Sequence, residues 1–281
     1  MTNSQQEPGA NSADASQAAT AGIDTNVPQS ARVYDFLLGG KDNYAADRAV
    51  GAALIELVPT LPLHVKANRA FLARAVRYLV SEAGIRQFLD IGTGIPTANN
   101  VHEVAQEIAP ESRVLYVDYD PIVLAHARAL MTGSPAGKTA FIVGDLREPE
   151  SILADPAVAS TLDLDEPVAL MLLGILHHVH DEEDPVGIVS TLLDALPSGS
   201  YMTVSHPTAD FDPEGMAAVA ASAEQSGIPY VARSRAEIEP FFRGLELVDP
   251  GLVPLLGWRP DADTSPDLNS VSGYVAMGRK P

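Results

Sequence analysis

The sequence predicts a doubly wound α/β protein: a mostly parallel sheet of seven strands, helices on both faces, and a helical lid in front. Three observations predict it. Short runs rich in Val, Ile and Leu alternate with helix-like stretches. The runs show little polar alternation, which is how strands covered on both faces read. The helices between them open with Asp-Pro pairs, a capping carboxylate followed by a residue with a preset helical φ.

In chain order, residues 1–29 are rich in Ala, Ser, Asn, Gln and Thr and read as a disordered tail. Residues 30–84 read as the lid. Ser30 can cap a short helix that Gly39-Gly40 ends, and a longer helix runs from about Leu63 to Glu82. Residues 85–281 form the sheet domain. Its first five strands are Gln87–Ile91, Val114–Asp118, Ala140–Val143, Val168–Leu173 and Tyr201–Ser205. Leu245–Val248 and Val271–Met277 are two candidates to close the edge. Asp120, Asp155, Asp184 and Asp212 each precede a Pro, and Ser234 with Glu237 forms a capping box. The order βαβαβαβαβ demands parallel strands joined by right-handed crossovers.

Composition removes several functions. The net charge is −19, against nucleic acid and anionic membranes as partners. There is no cysteine, so thiol catalysis and disulfides are excluded. No secretory signal or membrane span is visible, so the expected location is the cytoplasm. The charge is uneven. Arg32 to Arg86 holds eight Lys and Arg against five Asp and Glu, whereas between Arg147 and Arg233 there are fifteen acids and no Lys or Arg.

Ligands of open α/β sheets bind outside the carboxyl ends of the strands. Those ends carry Asp90-Ile91-Gly92-Thr93-Gly94, Asp118-Tyr119-Asp120, Gly144-Asp145-Leu146, His177-His178 and Ser205-His206. Gly92 and Gly94 let a ligand approach the backbone. Asp118 can accept from a ribose diol, and Asp145 from an adenine amine with Leu146 against the ring. Asp120 is the better helix cap. Together they describe an adenosine site. A dinucleotide fingerprint needs a third glycine and a helix N-terminus for pyrophosphate. Here Thr97 holds that place and Pro96 has no N–H to donate. The opening suits a phosphate-free adenosine ligand, S-adenosylmethionine, with Asp90 ordering the loop or holding the amino group.

The segments DIGTGIP (90–96), YVDYDP (116–121), GDLREP (144–149) and LGILHHVHD (173–181) resemble the successive motifs of Rossmann-like S-adenosylmethionine-dependent methyltransferases. ARVYDFLLGGKDNYAADR (31–48) and ANRAFLARAVRYL (67–79) resemble one bacterial family of them, formerly a domain of unknown function. The resemblance implies a methyltransferase with S-adenosylmethionine as cofactor and leaves the acceptor open. It also implies that Tyr119, following the acid, packs on the adenine.

Further candidates come from the residues themselves. Helical periodicity puts Arg69 within the apolar face of Val65, Leu72, Val76 and Leu79, with Asn68 at its margin. A charge facing a core must be paired. The partner is either the carboxylate of the methionyl group, with Asn68 assisting, or an acid of the chain itself. His177 and His178 are candidate bases, since His titrates near neutrality; the alternative is that they simply begin a helix. Tyr34, Tyr44 and His206 are candidate acceptor contacts, and a small-molecule acceptor is the expected partner. No metal site is assigned. Two other classes share this pattern: a non-catalytic S-adenosylmethionine-binding protein, and a nicotinamide-dependent oxidoreductase.

Overall fold

The computed structural model describes residues 24–130, 132–260 and 267–281. All but the last six residues of the expected tail lie outside them. Among the described residues three helices come first: α1 (Ser30–Leu38), α2 (Ala45–Leu57) and α3 (Leu61–Ser81). Then follow β1 (Gln87–Ile91), α4 (Val101–Ile108), β2 (Arg113–Asp118), α5 (Pro121–Leu130), β3 (Lys138–Val143), α6 (Pro149–Ala154), α7 (Pro156–Thr161) and β4 (Ala169–Leu173). The chain continues through α8 (Pro185–Asp194), β5 (Tyr201–Pro207), α9 (Pro213–Gln225), α10 (Arg235–Ile238), β6 (Glu246–Leu247), β7 (Val253–Pro254) and β8 (Gly273–Arg279).

The sheet order is β3-β2-β1-β4-β5-β8-β6, with β7 also on β8. The first five strands are parallel, and β8 runs antiparallel to β5. This is the expected doubly wound architecture, with eight strands rather than seven. The extra one, β7, is a two-residue edge pairing. Pro254 within it has no N–H to extend the ladder. Strand order reverses between β1 and β4, the switch point at which such sheets take ligands.

Two apolar cores lie on the two faces of the sheet. One gathers Leu89, Leu115, Leu170 and Met202 with α6, α7 and α8. The other joins Phe88, Tyr116 and Met171 to Phe71, Val76 and Leu79 of α3. The second half of α3 is therefore part of the sheet domain, a correction to its assignment to a lid. Burial of a full apolar stripe fixes it there. Trp258 is fully buried in the same core, edge-on to Phe71 and Tyr78. It packs, and does not line the cavity described below.

A third small core joins α1, α2 and the start of α3 to α9 through Val33, Leu54, Val65, Val219 and Ala223. Its polar staple explains the 31–48 motif. Arg32 is 1% exposed and pairs with the fully buried Asp47 at 3.3 Å. Asp47 also accepts from the Tyr44 N–H at 2.8 Å and the Gln29 N–H at 3.0 Å. Gln29, not Ser30, occupies the cap position of α1. Gly39, at φ 85°, closes α1 in the left-handed conformation. Lys41 is exposed, and the Gly-Gly-Lys stretch forms a turn between helices. The four Asp caps behave as read from sequence: Asp120, Asp155, Asp184 and Asp212 accept from the amides of Ile122, Ala157, Gly187 and Gly215.

No single helix among the described residues is long and apolar enough to cross a membrane. Breaking a buried ion pair leaves an uncompensated charge, typically costing about 3–5 kcal/mol. Asp47→Ala should destabilise the full chain by that order in urea denaturation. A loss under about 1 kcal/mol, as for an exposed pair, contradicts this account of the staple.

Candidate functional site

At the carboxyl ends of the strands lies a cavity of about 1320 Å³, including solvent at its mouth. Its floor is β1, β2, β4 and β5, and its roof is α1, α2 and α9, with α3 along one side. A smaller recess of about 360 Å³ adjoins it, sharing Gly92, Asp118, Tyr119, Ile175 and His178 with the main cavity.

One end is built by β1 and β2. Gly92 and Gly94 have φ of 78° and 67°, and a Cβ on Gly92 would meet Ile175 at 2.6 Å. The Gly94 N–H donates to Asp118 Oδ2 at 2.8 Å, and the Asp120 N–H donates to Oδ1 at 3.0 Å. Asp118 is 6% exposed, and burial pushes its carboxyl up to about 6 against those two donors. Asp90 is equally buried. Burial raises its carboxyl to about 7, Arg69 pulls it down, and Asp118 pushes it up further. Helix α4 begins at Val101, seven positions after Gly94, so no helix N-terminus meets this turn. That removes the pyrophosphate cradle a dinucleotide needs.

Arg69 and Asn68 enter from α3. Arg69 donates to the carbonyls of Ala98 and Asn99 at 3.0 and 3.1 Å, and to Asn100 Oδ1 at 3.3 Å. Among the described residues no acid forms a salt bridge with it, and its buried Nε has no partner. Asn68 donates to the Tyr34 hydroxyl at 3.0 Å, while its own buried Oδ1 is also unpartnered. An unmet donor and an unmet acceptor beside Asp90 suit the carboxylate and ammonium of an amino acid.

Asp145 and Leu146 line the recess. Arg147, absent from the sequence reading, holds Asp145 at 2.6 Å. Burial pushes the Asp145 carboxyl up, but Arg147 outweighs it and keeps the group below its ordinary value. The same acid accepts the Arg147 N–H at 2.9 Å, forming an Asx turn. Tyr119 is 44% exposed, lines both spaces, and donates to Gln29 Oε1 of the roof at 3.1 Å.

The other end carries His177 and His178 at the β4 tip, Ser205 and His206 on β5, and His64 and Tyr230, which sequence reading missed. His178 Nδ1 meets the Pro229 carbonyl at 2.6 Å, so that nitrogen carries the proton and Nε2 keeps a lone pair. The His177 ring lies 3.9 Å from that of His178 and 4.8 Å from Tyr230. Burial lowers all four histidines, His64 to about 4 and His206 to about 3. His206 lines the cavity, but both ring nitrogens are engaged, with Pro207 O at 2.7 Å and Arg233 at 3.1 Å. It therefore presents its ring edge, and no unengaged nitrogen, to the cavity. Tyr34 lines the cavity, its hydroxyl bonded to Val65 O and Asn68. Tyr44 does not line it; its ring lies under Arg32 at 5.2 Å, inside the staple.

The cavity thus lies at the switch point, where doubly wound α/β proteins take their ligands. Comparison takes this further. Residues 16–281 match the model of the S-adenosyl methyltransferase family, and the chain belongs to that family. A DUF574 family protein from Streptomyces avermitilis is 50% identical, with 92% of this chain and 99% of that one aligned at a TM-score of 0.89. A candidate methyltransferase from Thermobifida fusca is 42% identical over 92% and 97% of the two chains, at 0.86. An S-adenosylmethionine-dependent methyltransferase from Anabaena variabilis, 15% identical over 76% and 84%, shares the fold at 0.52. No curated protein matches the chain. The protein is a methyltransferase that uses S-adenosylmethionine.

The Asp90 environment has a measurable consequence. Unfolded, this carboxyl ionises near 3.8; folded, near 7. Between those values the unfolded state holds fewer protons, so this group lowers stability as pH rises from about 4 to 7. Asp90→Asn removes that loss. In urea denaturation the variant should gain on the wild type between pH 5 and pH 8, on the order of 2–4 kcal/mol. A pH-independent difference contradicts the assignment.

Proposed function

We infer that the protein methylates a small molecule held beside the cofactor, in the half of the cavity lined by His177 and His178. The observation that carries this reading is the continuity of the cavity: one space runs from the Asp90–Asp118 end to the histidines. In this reading Asp118 accepts from the ribose hydroxyls, with Gly92 and Gly94 leaving room for the ligand. Asp145, Leu146 and Tyr119 surround the adenine. Arg69 Nε and Asn68 Oδ1, both buried and unmet, take the methionyl carboxylate and ammonium, with Asp90 beside them.

S-adenosylmethionine supplies a methyl group on a positively charged sulfur. When bound, it would supply that methyl to an acceptor nucleophile, the electron pair of the broken carbon–sulfur bond staying on sulfur. Most of the rate comes from positioning and from a dry site. His178 is the better base of the two histidines. The Pro229 carbonyl fixes its Nδ1–H, so Nε2 is free to take the acceptor's proton. His177, packed against it, shapes the site and shields that nitrogen from water.

A ligand at about 100 times its dissociation constant stabilises the folded state by roughly 2.7 kcal/mol. S-adenosylhomocysteine should therefore raise the melting temperature of the full chain, and NAD and NADP should not. A hydrogen bond to a charged group is worth about 1.5–3 kcal/mol, so Arg69→Ala should weaken S-adenosylhomocysteine roughly tenfold to a hundredfold in calorimetry. Unchanged affinity removes Arg69 from the cofactor site.

A further inference from the structure

We propose that the acceptor is an uncharged, mainly hydrocarbon or aromatic molecule that presents a hydroxyl group. This rests on the methyltransferase reading and names its substrate class. The charged side chains of the cavity are segregated. Arg69, Asp90 and Asp118 all stand at the cofactor end. The ionisable groups of the other end are the histidines and tyrosines. Burial holds the histidines neutral at physiological pH and raises the tyrosines, so neither kind carries charge.

For His206 the neutral form is also fixed by geometry. Arg233 can only donate, so Nε2 accepts from it at 3.1 Å and the proton sits on Nδ1, toward Pro207 O. Two cations stand near this end: Arg147, in the recess beside His178 and paired with Asp145 at 2.6 Å, and Arg233, 3% exposed and fully committed. Arg233 holds Asp181 at 2.6 Å and the carbonyls of Leu176 and Val179 at 3.0 and 2.8 Å, and it does not line the cavity. A carboxylate, phosphate or ammonium entering here would lose its hydration and find no counter-charge. That cost is large for a buried ion.

The remaining walls set the shape and polarity of what does fit. Val33, Leu37 and Leu54 face it from the roof, and Val219, Ala223 and Ile228 from α9 and the loop after it. Several polar groups remain uncommitted at this end. Ser205 Oγ, His64 Nδ1 and His177 Nδ1 are buried without a partner, and His178 Nε2 keeps its lone pair. A hydroxyl donor on Ser205 and an acceptor nitrogen on His178 are together the complement of a hydroxyl, which accepts one hydrogen bond and donates another. A carbonyl or ether could use only the donor.

The test uses the full chain saturated with S-adenosylhomocysteine, and naphthalene probes of one size. 2-Naphthol is neutral with a hydroxyl, 2-methylnaphthalene is neutral without one, 2-naphthoate is an anion, and 2-naphthylmethylamine is a cation. Calorimetric titration at neutral pH should find 2-naphthol bound roughly tenfold or more tighter than either ion, with 2-methylnaphthalene between. Ser205→Ala should narrow the gap between 2-naphthol and 2-methylnaphthalene while leaving S-adenosylhomocysteine affinity unchanged. The proposal is overturned if either ion binds as tightly as 2-naphthol, or if 2-naphthol and phenol both fail to bind at millimolar concentration. Failure of S-adenosylhomocysteine itself to bind would instead overturn the cofactor reading beneath it.

Discussion

Two buried carboxylates, Asp90 on β1 and Asp118 ending β2, stand on adjacent parallel strands, and the rest of the structure accommodates them. Each is raised by burial, and Asp118 raises Asp90 further. Asp118 is made tolerable by two backbone amides: that of Asp120, two residues on, and that of Gly94, presented by the Gly92–Gly94 turn with its left-handed φ values. Among the described residues, the guanidinium of Arg69 is what offsets Asp90. Arg69 reaches that position because the second half of α3 is buried against the sheet through Phe71, Val76 and Leu79. A packing constraint on one face of a helix thus positions the charge on its neighbouring turn.

The roof is a second constraint, and it is coupled to the first. Asp47 holds the Gln29 N–H, and the Gln29 side chain accepts from Tyr119, directly after Asp118. The buried Arg32–Asp47 pair therefore has a role beyond holding α1 to α2. It fixes the strap that crosses the rim of the cavity. Buried ion pairs contribute little net stability compared with apolar packing, so geometry is the more plausible reason for one here.

The cofactor end was legible in the sequence because the physics is local. A parallel strand ends, a turn follows, and whatever stands there faces the ligand. Gly92, Gly94, Asp118 and Asp145 all stand at or just after such strand ends and line the cavity or its adjoining recess, where the sequence expected them. Arg69 was legible through period alone: a charge within an apolar stripe. The other end was not. Arg233 meets Leu176 across 57 residues, and no local pattern marks it. His64 reads as an exposed polar residue early in a helix, and Tyr230 sits in a loop with no periodicity. Tyr44 failed for the opposite reason. It lies in a Gly-rich segment that looks like a mobile cover, yet its ring is held under Arg32. The eighth strand was invisible because a two-residue pairing is set by its partner rather than by its own propensity.

The central claim is that the orphaned Arg69 Nε and Asn68 Oδ1, with Asp90 and Asp118, form one cofactor site. A crystal structure of the S-adenosylhomocysteine complex tests it most directly. The account predicts the ribose on Asp118, the adenine beside Tyr119 and Leu146, and the amino-acid end between Asn68 and Arg69. The sulfur would then face the space lined by His177 and His178. A ligand bound with its amino-acid end away from Arg69, or with its sulfur facing bulk solvent, would contradict it.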